Sequence, residues 1–204
     1  MPPQRIFLWG LLIAALLAIA AVTWTSRRHG PPPAELPVLF SLPEFSLTNR
    51  DGRAFGRDEL RGKVWLASFI FTRCGGVCPL ITERLKTLPV EYPELGGLER
   101  VSITVDPEFD TPTVLAAYAK AHGIADSTDV RWRFLTGQPE RVKSLILTGF
   151  KLALDPGATP QEPILHSTKL VLVDGQGDVR GLYEYDDASA LQRLRRDAGL
   201  LLAH

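Results

Sequence analysis

The hydrophobic pattern changes period several times along the chain, and each change predicts an element. The first block, Ile6 to Trp24, runs without a charge between Arg5 and Arg27-Arg28. It is close to the ~20 residues that cross a bilayer and longer than the ~7–15 of a secretory signal core. A single N-terminal transmembrane helix, an anchor within 1–29, is therefore expected. Ala18-Ile19-Ala20 has the form of a cleavage site, but the apolar run continues to Trp24, which favours an uncleaved anchor. Pro31, Pro32, Pro33, Pro37 and Pro43 make 30–43 a stiff, extended linker. The folded domain is then expected over 44–204.

Within that domain, short runs at 45–47 and 53–55 flank Thr48-Asn49-Arg50-Asp51-Gly52, a hairpin signal. Val64 to Phe71 is a nearly unbroken apolar run of buried-strand length. Pro79, followed by Leu80, Ile81, Leu85 and Leu88, predicts an amphipathic helix to about Tyr92 with proline at its first position. Proline disfavours helical geometry in the residue before it, so Cys78 is expected as the cap. Alternation at 101–105 predicts a strand, and Thr111-Pro112 opens a helix that Gly123 stops after His122. A short strand at 132–135, a helix over 139–150 and a strand at 152–154 follow. A Pro/Gly-rich loop, 155–163, leads to His166. Runs at 170–173 and 179–183 flank Asp174-Gly175-Gln176-Gly177 as a second hairpin, and 188–202 is an amphipathic helix. A strand feeding two thiols at a helix N-terminus, closed by an antiparallel hairpin and a helix, predicts a thioredoxin-like α/β fold with an N-terminal β-hairpin.

Charge narrows the partners. All 23 acidic residues follow Pro33, as do 20 of the 23 basic ones, which leaves the chain after Pro33 at −3. A mildly acidic surface without a basic run argues against nucleic acid. The basic flanks of the anchor do not fix its orientation, because Arg5 opposes Arg27 and Arg28. A C-terminal domain outside the cytoplasm is allowed, since large domains translocate largely regardless of such flanks.

The chemistry starts from the two cysteines, both within Phe71-Thr72-Arg73-Cys74-Gly75-Gly76-Val77-Cys78-Pro79. At a helix N-terminus the backbone dipole favours thiolate, and paired soft thiolates suit Cu(I), zinc or redox exchange. A passive staple is a poor use of them: closing a five-residue ring stabilises by roughly 2 kcal/mol, against ~4.7 for a 100-residue loop. Thioredoxin-type exchange normally uses Cys-x-x-Cys, one residue shorter than the spacing here. A peroxidase reading is weaker, because Thr72 stands two residues before Cys74 rather than three. Among the four histidines, His29 lies in the linker, His122 at a helix end and His204 at the terminus. His166 differs, since it leaves a loop and enters a strand. Its residues alone leave a metal ligand and a half-buried, backbone-bonded histidine equally open.

Three blocks together, Phe71 to Pro79, Ser102 to Pro112 and Leu165 to Asp174, resemble the Sco/SenC family of membrane-anchored copper proteins of cytochrome c oxidase assembly. The likeness spans the domain from about Glu44 to the last helix. It implies a Cys-x-x-x-Cys plus distal histidine site for one copper ion, Cu(I) or Cu(II), carried onto Cys74, Cys78 and His166. Asp106 matches the family's acidic residue in the Val-Asp-Pro block, with a role behind the ligands or in orienting the loop. The family usually has proline after the first cysteine, where this chain has Gly75. The resemblance implies a metallochaperone at the inner membrane, its domain facing the periplasm. Its implied client is cytochrome c oxidase subunit II, served by a periplasmic copper donor and a thioredoxin-like reductant. A thiol-disulfide reductase acting through Cys74 and Cys78, and a copper sensor, remain alternatives.

Overall fold

The computed structural model describes residues 15–19, 36–124, 131–159 and 162–203. Most of the expected anchor lies outside them; residues 15–19 are helical. No helix among the described residues is long and apolar enough to cross a membrane.

The folded unit runs from Pro37 to the C-terminus. It is built on an eight-stranded mixed sheet. Its strands are β1 (Phe40–Ser41), β2 (Ser46–Asn49), β3 (Ala54–Gly56), β4 (Trp65–Ile70), β5 (Glu99–Thr104), β6 (Trp132–Thr136), β9 (Lys169–Val173) and β10 (Asp178–Glu184). A separate two-stranded ribbon pairs β7 (Leu154–Thr159) with β8 (Glu162–His166). The helices are α1 (Arg57–Leu60), α2 (Val77–Glu91), α3 (Pro112–Ala121), α4 (Pro139–Ser144) and α5 (Ala188–Leu202). Spatial order in the large sheet is β1-β10-β9-β4-β5-β6-β2-β3. The parallel strands β4, β5 and β6 form its centre, and both hairpins sit on the flanks.

Every residue of β4 and of β5 is buried, as expected of parallel strands covered on both faces. Trp65, Phe69 and Phe150 meet edge to face, with centroids 6.1 and 4.9 Å apart. The two serines buried in this apolar centre satisfy each other: Ser68 and Ser102 hydroxyls lie 2.9 Å apart, and Trp132 Nε1 donates to Ser102 at 3.0 Å.

Four expectations shift. The sheet begins before Glu44: Phe40–Ser41, within the stretch expected as linker, pairs with β10, and Leu42 is buried. Helix α2 starts at Val77 with Gly76 as its cap, so Cys78 lies inside the first turn. The helix expected over 139–150 is α-helical only to Ser144 and then widens to a π-turn, Leu145–Gly149. Phe150 N–H reaches back to Leu145 O at 2.8 Å, and the wider turn delivers the Phe150 ring into the core. Finally, the loop expected over 155–163 is largely the β7–β8 ribbon, with Leu154 opposite His166.

Register positions the site. β4 and β5 are level, Ile70 opposite Thr104, so the segments after them leave the sheet together. β9 runs antiparallel to β4, with Ala67 opposite Val171, so it enters at the end where β4 leaves. Segments 71–78, 105–110 and 166–168 therefore converge outside the carboxyl ends of the central strands, where open α/β sheets gather their ligands.

Candidate metal centre

The segment after β4 closes a turn first: Cys74 N–H bonds Phe71 O at 3.2 Å. Gly75 and Gly76 then carry the chain into α2, and Cys78 N–H points at Cys74 Sγ across 3.5 Å. The two sulfurs thus belong to one tight loop. Both cysteines are free thiols, and both are buried.

His166 reaches this loop from the end of β8. Its Nε2 stands 3.5 Å from Cys78 Sγ. Its Nδ1 lies 3.0 Å from the carbonyl oxygen of Ser167. A carbonyl can only accept, so Nδ1 carries a proton, and in the neutral ring Nε2 then presents a lone pair toward the sulfur. That is the tautomer a metal-binding imidazole needs, fixed by a backbone oxygen. Phe71 meets the imidazole edge to face, centroids 5.6 Å apart, and limits its tilt.

Burial pushes the Cys78 thiol well above the ordinary cysteine range; a backbone hydrogen bond at Phe71 offsets part of this, and Cys74 and Asp110 add to the rise. Desolvation outweighs the helix N-terminus, which had favoured thiolate in the sequence-based expectation. At neutral pH Cys78 is therefore a thiol, able to donate to His166 Nε2. A thiophilic cation can displace that proton.

The sequence-expected residues divide accordingly. Cys78 and His166 are in contact, and Cys74 lies in the same loop. Asp106 is not among the sulfurs: its Oδ2 binds Arg73 at 2.5 Å from Nη2 and 3.1 Å from Nε. Arg73 also lies over the Phe109 ring, 4.4 Å from its centre. Among the described residues no group of three His, Cys, Asp or Glu side chains is drawn together as a preformed metal cage. The donor chemistry, two sulfurs and an imidazole nitrogen on adjoining segments, nevertheless fits a soft monovalent or borderline divalent cation.

One residue at the site was missed from sequence. Asp110 is fully buried, and it accepts from Thr72 N–H at 3.1 Å, from Thr72 Oγ1 at 2.5 Å and from Thr104 Oγ1 at 2.5 Å. The signal was present in Asp106-Pro107-Glu108-Phe109-Asp110-Thr111-Pro112, but two aspartates in one loop look alike until burial separates them. Tyr118, also buried, bonds Thr82 Oγ1 at 2.8 Å in the layer beneath Cys78.

Residues 39–197 match the family model described as SCO1/SenC. A SCO1 protein homolog of Bacillus subtilis is 30% identical over 159 residues, 74% of this chain and 80% of that protein. The crystal structure of a SCO1/SenC family lipoprotein from Bacillus anthracis is 32% identical, superposes with a TM-score of 0.72, and matches 81% of this chain and 96% of its own. A structure of BsSco, described as a member of the Sco family of cytochrome c oxidase assembly proteins with a disulfide switch, gives 26% identity and a TM-score of 0.69 over 83% of this chain and 97% of its own. Bradyrhizobium japonicum ScoI, solved with copper bound, shares the fold at 22% identity and a TM-score of 0.64, covering 79% of this chain and 99% of its own.

Proposed function

This chain belongs to the SCO1/SenC family, and from that premise we propose that it is a membrane-anchored copper metallochaperone. In this reading it takes one copper ion as cargo on Cys74, Cys78 and His166. It then passes the ion to the copper A centre of cytochrome c oxidase subunit II. The observation that carries the reading is the 3.5 Å approach of His166 Nε2 to Cys78 Sγ, across 88 residues of sequence, with the lone pair facing the sulfur. Relatives described as cytochrome c oxidase assembly proteins, and one solved with copper bound, support the choice of cargo and client.

Loading begins from a neutral Cys78, so copper must displace its proton, while the neutral imidazole supplies a nitrogen donor that accepts from that thiol until the metal arrives. Two sulfurs suffice to hold Cu(I); Cu(II) calls on the nitrogen as well. Release is ligand exchange, helped by a histidine that sits on a ribbon of its own rather than in the main sheet. The uncharged run 6–24 and the proline-rich stretch after it would hold the domain near a membrane-embedded client, on the periplasmic face of the inner membrane, and raise its effective concentration there. A periplasmic copper donor and a thioredoxin-like reductant complete the cycle.

Anaerobic copper titration of the purified chain tests this. One ion per chain is expected, lost in Cys74→Ser or Cys78→Ser, and His166→Ala should weaken Cu(II) by ~100-fold while changing Cu(I) far less. Equal losses in both oxidation states would remove the histidine from the site. A second reading, thiol-disulfide reductase for the client's cysteines, is favoured by the two free thiols of one loop and by the disulfide switch described for BsSco. It requires the sulfurs alone, so His166→Ala would keep reducing an oxidised client peptide while failing to hold Cu(II).

A further inference from the structure

The two glycines between the thiols leave the loop without stiffness of its own. Gly75 faces open space, with no atom within 4 Å of where its Cβ would stand. Yet the turn Phe71–Cys74 that presents the first sulfur is held at both of its central residues, and both holds come from the segment after β5. Arg73 is bound by Asp106 and covered by Phe109. Thr72 is gripped twice by Asp110, once at its backbone N–H and once at its hydroxyl. Asp110 is in turn tied to Thr104 at the end of β5, and its own N–H bonds Asp106 O at 2.9 Å.

The two holds differ in strength. Arg73 is 48% exposed, so its ion pair with Asp106 is screened by water. Asp110 has no exposed surface at all, and both bonds to Thr72 lie in a dry site where water does not compete. A carboxylate placed there is costly to desolvate, which indeed raises its pKa, and hydrogen bonds from three neutral donors are what offset the cost.

Resting on the copper reading above, we propose that Asp110 is a positioning residue for the metal loop: through Thr72 it sets the turn that carries Cys74, supplying from β5 the rigidity that Gly75-Gly76 lacks. None of these hydrogen bonds reaches a sulfur, so its hold on the loop runs through Thr72. The loop is then built to be stiff in front of Cys74 and loose behind it. A cation pulls Cys74 Sγ toward Cys78 and His166 by bending the glycines, while the turn stays where β5 holds it.

Thr72→Val and Thr72→Ser in the full chain decide this, with Asp110→Asn as a companion. Thr72→Val removes the hydroxyl grip, keeps side-chain shape and leaves the carboxylate in place; Thr72→Ser restores the hydroxyl. With the metal-free, reduced protein, alkylation of Cys74 by iodoacetamide, followed by peptide mass, should quicken about tenfold in Thr72→Val as the loop opens. It should return to the parent rate in Thr72→Ser. Cu(II) should dissociate roughly tenfold faster from Thr72→Val, with a shifted thiolate-to-Cu(II) absorption band, and again recover with serine. Parent rates of both alkylation and dissociation in Thr72→Val would overturn the proposal, as would failure of serine to restore them. If Asp110→Asn does not fold, the threonine pair still decides. A parent protein that takes up no copper would sink the copper reading, and the alkylation rates would still judge the clamp.

Discussion

At the scale of single residues, the site is governed by what burial does to one thiol. Cys78 lies beside His166, bonded at the Phe71 backbone, and desolvation holds its proton on. If Cys78 holds copper as proposed, binding must remove that proton, so copper affinity should rise with pH, by about tenfold per pH unit for this thiol between roughly pH 6 and 8. Competition titrations across that range measure the slope. A flat profile would mean the thiol is already ionised in the free protein. The same residue explains a difference between sequence and structure. A helix N-terminus read from sequence suggests thiolate; the structure places Cys78 inside the first turn with no exposed surface, where dehydration outweighs the dipole.

Among elements, β4 and β5 were legible because parallel strands buried on both faces write themselves as apolar runs. The two Asp-Gly hairpins and α5 were legible from turn chemistry and helical spacing. The ribbon β7–β8 was not: Pro156, Gly157 and Pro163 signal a loop, and only the pairing of Leu154 with His166 reveals strands. Nor does composition announce the π-turn at Leu145–Gly149, whose cause is tertiary. It seats Phe150 against Trp65 and Phe69, edge-on to both. Truncating that ring, Phe150→Ala, should cost ~3–5 kcal/mol in a denaturant titration. A loss under ~1 kcal/mol would mean the π-turn re-forms as an ordinary α-turn with little consequence. Asp110 and Thr72 were illegible for a similar reason. Each is an ordinary polar residue in its own segment, and only the level register of β4 and β5 brings them within a hydrogen bond.

For the whole molecule, the thiol and two buried tyrosines share an alkaline liability. Cys78, Tyr118 and Tyr183 are all pushed above their ordinary values chiefly by burial. A raised value in the fold means the stability is intact below the unfolded value and declines as pH climbs toward the folded one. The metal-free protein should therefore lose ~1.4 kcal/mol per pH unit above about pH 8.5 from the thiol. The tyrosines add to the slope above about pH 10. Thermal melts between pH 7 and 11 would follow the decline; a flat profile to pH 11 would mean the three groups titrate alike folded and unfolded. Copper should shift the first part of this curve, since a metal-bound Cys78 has no proton left to lose.

The imidazole of His166 is steadied at Nδ1 by the oxygen of its immediate successor in the chain, Ser167. In the proposed hand-over to a client, that prop is one residue away in the chain and would move with the ring. It would arrive at, or withdraw from, the sulfurs already in the protonation form suited to the task, and hand-over would need no rearrangement of that proton.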